Sequence, residues 1–287
     1  MQILFYGVFD GKKWRCEYPM LEGFQQAGIQ AFTSNFRSYW PWKTLSDWEK
    51  HRHQVDLVLI QNGIPFKTEH IPKFDKPIVL LASEFDVNVH LPVLNSLGSK
   101  DFVLAHSQQT FEWCQTHQIA SKRIHHAANP HHYFKQAIDY QYEVCFIGGM
   151  TPRRQKILQE LRQKGINVFA STCWKPQEIN SIYNQSKFIL HIHAQEQNYL
   201  PTRFFEAIQT QGCLLIEDMG QNADPSLDSD AYLSWSHSDH LIDLIQNCSE
   251  EQRKKIVHKA NQLAPKHTWH QRVYEYIHVF QDVIKSN

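Results

Sequence analysis

Short apolar runs alternate with helix-patterned segments along most of the chain, and that alternation predicts an α/β fold. The runs are apolar on both faces, as in VDLVLIQNG and PIVLLASE, which implies parallel sheets covered by helices on each side. The pattern also falls into two blocks, parted by NPHHYFKQAIDYQ, a stretch with no apolar period. Together these observations predict two Rossmann-like domains facing across a cleft. They span 1–136 and 137–266, and a closing helix over 267–287 packs back on the first. Ligands in such folds bind at the carboxyl ends of the strands.

In the first block the expected strands are 2–8, 55–63, 77–84 and 101–107. YPMLEGFQQAG has apolar residues at helical spacing and a glycine stop, and SQQTFEWCQTHQI is patterned likewise. In the second block the expected strands are 142–150, 166–171, 187–193, 212–218 and 231–236. RRQKILQELRQKG and PTRFFEAIQTQG supply helices between them, and HTWHQRVYEYIHVFQDVIKSN is a strongly amphipathic last helix.

The 287 residues are 42% apolar and 13% aromatic, enough for two packed cores. Lys+Arg equals Asp+Glu at 29 each, so bulk electrostatic attraction to nucleic acid is not expected. Six scattered cysteines form no CxxC pair and no disulfide framework, which fits a reducing cytoplasm. MQILFYGVFDGKKW has too short an apolar run for a signal peptide, and no stretch is long enough to span a bilayer. A membrane-borne acceptor would be met from the surface, at the inner face of the membrane. The 18 histidines include HRH, RIHHAANPHH and HIH but show no zinc-site spacing. His193 stands apart from the others because it ends a strand next to the richest motif.

That motif begins with FIGGMTPRRQKIL. A strand runs into Gly148 and Gly149, which allow a tight turn and close backbone approach. Thr151 can cap the following helix, Pro152 suits its first turn, and Arg153 and Arg154 follow. Helix amides with cationic side chains make a phosphate cradle, although a basic solvated helix face has the same sequence. The second part is NYLPTRFFEAIQTQG. Thr202 is a candidate cap, and Arg203 and Glu206 share one helix face at its start. Arg203 suits a diphosphate and Glu206 suits the vicinal hydroxyls of a ribose. As an exposed ion pair they would contribute only about 0.3 kcal/mol to folding. Gly212 reads as the helix stop.

The stretch YNQSKFILHIHAQEQNYLPTRFFEAIQTQGCLLIED resembles the C-terminal domain of GT-B glycosyltransferases, and among them the CgeB-like group. Asn198, Arg203, Phe205, Glu206 and Gly212 fit that group's N-x-R-x-F-E-x-x-x-x-G run with altered spacing at the asparagine. The order of the Gly-Gly turn, the arginines and the Arg-x-x-Glu helix is also distantly similar to phage DNA β-glucosyltransferase. The resemblance covers roughly 142–280 and implies a nucleotide-diphosphate sugar donor, most readily UDP-linked. It places Glu206 on the ribose and Arg203, Thr151, Arg153 and Arg154 on the diphosphate. Asn198 stands where many retaining relatives carry the first acid of Glu-x7-Glu, with Glu196 two residues earlier.

The resemblance further implies transfer to a surface glycan or glycolipid, and no cofactor and no obligate metal are expected, since arginines and a helix dipole can balance the phosphate charge. DSD at Asp228–Asp230 reads as a solvated turn. Catalysis would need a base at a strand end of the first domain. Glu84 and Asp86 follow the third strand, Asp10 the first, and His106 the fourth, where His106-Ser107 reads as a helix cap. Trp14, Tyr39, Trp40 and Trp42 could stack on sugar faces or pack as a loop. Three alternatives remain open: a DNA-modifying glycosyltransferase, a non-catalytic nucleotide-sugar-binding protein, and a nucleotide-sugar epimerase.

Overall fold

The computed structural model describes residues 1–37, 42–62, 74–193, 200–218, 220 and 229–286. Tyr39, Trp40, Glu196, Asn198 and Asp228 lie outside the described residues. The chain divides into two compact units, Met1–His126 with Trp269–Asn287, and Ala127–Thr268.

The first unit holds strands β1 (Gln2–Gly7), β2 (Gln30–Asn35), β3 (Leu57–Gln61), β4 (Ile78–Ala82), β5 (Phe102–Ala105) and β6 (Ser121–Arg123). They form one parallel sheet in the order β2-β1-β3-β4-β5-β6. Helices α1 (Glu17–Gln26), α2 (Trp42–His51), α3 (Leu91–Leu94) and α4 (Gln108–Thr116) connect them. Every residue of β3 and β4 is buried, as their unbroken apolar runs predict. The two edge strands escape sequence reasoning for the converse reason. QAFTSN has a single buried residue and SKR has none, so neither carries a strand-like apolar signature.

The second unit holds β7 (Tyr142–Ile147), α5 (Pro152–Gln163), β8 (Val168–Ser171), α6 (Pro176–Asn184), β9 (Ser186–His191), α7 (Thr202–Gln209), β10 (Cys213–Glu217), β11 (Leu233–Trp235), α8 (Ser238–Asn247) and α9 (Glu250–Leu263). Its parallel sheet runs β11-β10-β9-β7-β8. Successive residues of a strand face opposite sides, and the two cores follow that period. Cys145, Ile147, Ile189, Leu214 and Ile216 pack with Phe204, Phe205 and Ile208 of α7. Val144, Phe146, Phe188, Leu190 and Leu215 pack with Leu158 and Leu161 of α5.

The last helix, α10 (Trp269–Lys285), belongs to the first unit. Phe280 lies 5.8 Å from Phe24 of α1, ring to ring. Gly23 of α1 is a contact point, because a Cβ there would sit 3.0 Å from Val273 Cγ2. The segment 127–136, assigned from sequence to the first half, packs instead in the second unit. Tyr133 donates to Glu206 Oε1 at 3.0 Å, and Phe134 N donates to Asn180 Oδ1 at 2.9 Å.

Candidate active site

The candidate donor residues gather at the carboxyl edge of the second sheet. β7 runs into Gly148, whose amide donates to Ser171 O at 2.9 Å and fixes the turn beside β8. Neither Gly148 nor Gly149 has positive φ, so the pair is not required for a left-handed turn. Space is a reason for Gly148 alone. A Cβ on Gly148 would lie 3.1 Å from the Phe146 ring, whereas one on Gly149 would meet nothing within 4 Å. Thr151 caps α5 by accepting from Arg154 N at 3.3 Å, as its position predicts.

The two arginines that follow have different surroundings. Arg154 is buried, and its guanidinium donates to Ile192 O from Nε at 3.1 Å and Nη2 at 2.7 Å, and to Gly149 O from Nη1 at 2.7 Å. It therefore ties the glycine turn to the end of β9. Arg153 is 35% exposed in its side chain and grips Glu217, the last residue of β10, with both Nη atoms. Its Nη1 also reaches His193 O at 3.2 Å.

Glu217 is the hub of this corner. It accepts from His193 N at 2.8 Å as well as from Arg153. His193 is buried just beyond β9, and its Nδ1 lies 3.3 Å from His191 Nε2. Burial, and the positive field of His193, hold the His191 imidazole well below its ordinary pKa. Burial also lowers His193, with the Glu217 carboxylate opposing that shift.

α7 brings up the second cluster. Its N-cap is Pro201, with no side-chain cap, so Thr202 is the first helical residue and is exposed, not the cap expected from sequence. The first amides of α7 thus keep no side-chain acceptor. Arg203 and Glu206 form an ion pair one turn apart, at 16% and 10% side-chain exposure. Glu206 also accepts from Tyr133 Oη at 3.0 Å and Tyr183 Oη at 3.5 Å. Burial opposes the Arg203 charge, but Glu206 and the two tyrosines outweigh it and raise the guanidinium pKa. The Arg203 guanidinium stands 5.8 Å from the ring centre of Trp174, which is 67% exposed in the loop after β8. Gly212 is not the left-handed stop. Gln211 has φ 59, and Gly212 packs against Ile189, whose Cδ1 would have to shift to admit a Cβ there.

In the first unit the three acids differ sharply. Asp10 is engaged by Arg15 at 3.0 Å, and that hydrogen bond lowers its pKa, which makes it a poor proton acceptor. Asp86 caps the short 3₁₀ turn Val87–Val89, accepting from Asn88 N at 2.9 Å. Glu84 is exposed just past β4, and its carboxylate makes no hydrogen bond or ion pair among the described residues. Its own carbonyl and that of Asn62 face the two ring nitrogens of His90 at 3.3 and 2.9 Å. The cap of α4 is Ser107, which accepts from Thr110 N at 3.1 Å. His106 takes no part in that cap, and burial holds its pKa well below the ordinary value.

Four site residues were not found by sequence reasoning. Glu217 looks like the polar end of a buried strand in GCLLIED, and its signal was that position. Trp174 carried a signal too, an aromatic between a strand end and a helix in STCWKPQ. Tyr133 and Tyr183 carried none, since both reach Glu206 only through the fold. Among the described residues no group of His, Cys, Asp or Glu is arranged to hold a metal ion.

Residues 153–278 match the family model described as glycosyl transferase-like. No curated protein sequence matches. The fold is similar to that of sucrose-phosphate synthase from Thermosynechococcus elongatus, at 9% identity and TM-score 0.73, over 100% of each chain. It is also similar to an α,α-trehalose-phosphate synthase (UDP-forming) from Burkholderia vietnamiensis, at 8% identity and TM-score 0.64, over 100% of this chain and 99% of that one. A third likeness is to the DNA-modifying enzyme β-glucosyltransferase, at 12% identity and TM-score 0.59, over 99% and 100%. The chain thus has the two-sheet GT-B fold of these glycosyltransferases, and its candidate donor corner lies within and beside a glycosyl transferase-like segment.

Proposed function

We propose that the protein transfers a sugar from a nucleotide-diphosphate donor, most simply a UDP-sugar, to a hydroxyl of a surface glycan or glycolipid. The observation that carries the reading is the Arg203–Glu206 pair at the uncapped start of α7, beside exposed Trp174 and inside the family match. In this reading the Glu206 carboxylate, positioned by Arg203, Tyr133 and Tyr183, accepts from the ribose diol. The Trp174 face offers a nucleobase a stacking platform. The α7 amides and Arg153 take the diphosphate, and the open space over Gly149 admits it. Cationic side chains and helix ends then balance the phosphate charge without a metal. UDP is supported by two fold neighbours, a UDP-forming synthase and a glucosyltransferase whose substrate is uridine diphosphoglucose. Of the three first-unit acids, Glu84 is the one left able to accept a proton from the acceptor. No helix among the described residues is long and apolar enough to cross a membrane.

A panel of nucleotide sugars tests the reading by thermal shift and nucleotide release. UDP-sugars should raise the melting temperature and release UDP when acceptor is present. Glu206→Gln, which keeps the shape and one acceptor oxygen, should cut UDP-sugar affinity by about 10-fold or more. A protein that no nucleotide sugar stabilises would refute the proposal. DNA glycosylation is the second reading, favoured by the β-glucosyltransferase likeness and opposed by zero formal net charge. A salt-dependent shift of duplex DNA in a gel would revive it.

A further inference from the structure

The Arg153–Glu217 pair has features that a simple structural tie does not need. Arg153 is 35% exposed while Glu217 is 11% exposed, so the guanidinium can be reached from solvent and its carboxylate is shielded. Arg153 holds Glu217 by a two-point contact, and a planar guanidinium offers a phosphoryl group the same fork. Glu217 has a second anchor in the His193 amide at 2.8 Å, so it keeps its place without the arginine. Arg153 spends one contact on a backbone carbonyl, Nη1 to His193 O at 3.2 Å, whereas buried Arg154 next door spends three and is far less free to move. Arg153 is therefore the movable cation at the start of α5, and a carboxylate already occupies it.

We propose that Glu217 is a built-in competitor for the phosphate subsite: a nucleoside diphosphate binds by taking Arg153 from it. The inference rests on the donor-site reading above and adds a selectivity rule. A diphosphate carries enough charge to win the exchange, whereas a singly charged ligand meets a neutralised arginine and the repulsion of Glu217.

The test is UDP binding, by calorimetry on the full chain, for wild type, Glu217→Gln, Arg153→Gln and the double variant. Exchange predicts that Glu217→Gln binds UDP about tenfold more tightly, because Arg153 is no longer held by a charge. Arg153→Gln should bind more weakly, and the double variant should match it, with the gain from Glu217→Gln gone. A purely structural tie predicts the reverse for Glu217→Gln, namely equal or weaker binding together with a lower melting temperature. That result overturns the proposal, as does a gain that persists in the Arg153→Gln background. Should Glu217→Gln fail to fold, Glu217→Asp, which keeps the charge with a shorter reach, replaces it and should bind UDP more tightly than wild type, whereas equal or weaker binding overturns the proposal. Should wild type bind neither UDP nor any other nucleoside diphosphate, the donor reading itself falls, a failure distinct from an unaltered Glu217→Gln affinity.

Discussion

At the scale of single residues, burial separates the Arg203–Glu206 pair from the Arg153–Glu217 pair, whose arginine is 35% exposed in its side chain. Arg203 is shielded, and its Glu206 partner carries two tyrosine hydroxyls, so this pair is a fixed scaffold. Removing Glu206 as alanine would leave a buried cation without its partner, at a cost of about 3–5 kcal/mol. That is why the glutamine variant is the informative one. Trp174 is the opposite case. It is 67% exposed, so its truncation should change folding stability by less than about 0.5 kcal/mol. If it stacks on the nucleobase, Trp174→Ala should weaken UDP binding by about 1–3 kcal/mol, a loss of roughly 5- to 150-fold. Calorimetric titration with UDP and a melting curve on the same sample check both halves. Unchanged affinity would remove Trp174 from the site.

At the scale of elements, the sequence was most legible where both faces of a strand are buried. β3, β4 and β10 stand out as apolar runs because nothing about them faces water. β2 and β6 were illegible because edge position leaves them half polar. The donor corner followed the same logic. Arg203 and Glu206 could be placed on one helix face from spacing alone, whereas the role of Arg154 depended on carbonyls 149 and 192, which only the fold brings to it. The end of α7 shows how a correct residue can be given the wrong reason. Gln211, not Gly212, takes the left-handed conformation, and Gly212 is reserved by Ile189. Gln211→Gly should therefore stabilise the protein by about 0.5–1 kcal/mol. Gly212→Ala should destabilise it by about 1–3 kcal/mol through overpacking. Thermal melts of the two variants should move in opposite directions, and a stabilising alanine at 212 would contradict the contact.

At the scale of the whole molecule, buried and half-buried histidines lie at the carboxyl edges of both sheets. His90, His106 and His126 occupy the first unit, and His191 and His193 the second. Burial is the leading cause of the lowered pKa of each, and His126 is pushed down to about 4. The sign follows from proton counting. Below about pH 6.5 the unfolded chain protonates these imidazoles while the folded chain does not, so stability falls as pH falls. Above that pH the contribution is fully present. The loss should be steepest between about pH 6.5 and 4, whereas carboxylates held low by arginines, Asp10 and Glu250, act only below about pH 4. Urea unfolding followed from pH 8 to pH 4 should show this decline. His126→Gln keeps a donor toward Ser83 O, which the ring Nε2 meets at 3.2 Å, and removes the titrating group. It should flatten the slope in that window by up to about 1.4 kcal/mol per pH unit. An unchanged slope would mean that His126 takes up its proton in the folded state as readily as in the unfolded one, and that its burial does not control the acid stability of the first unit.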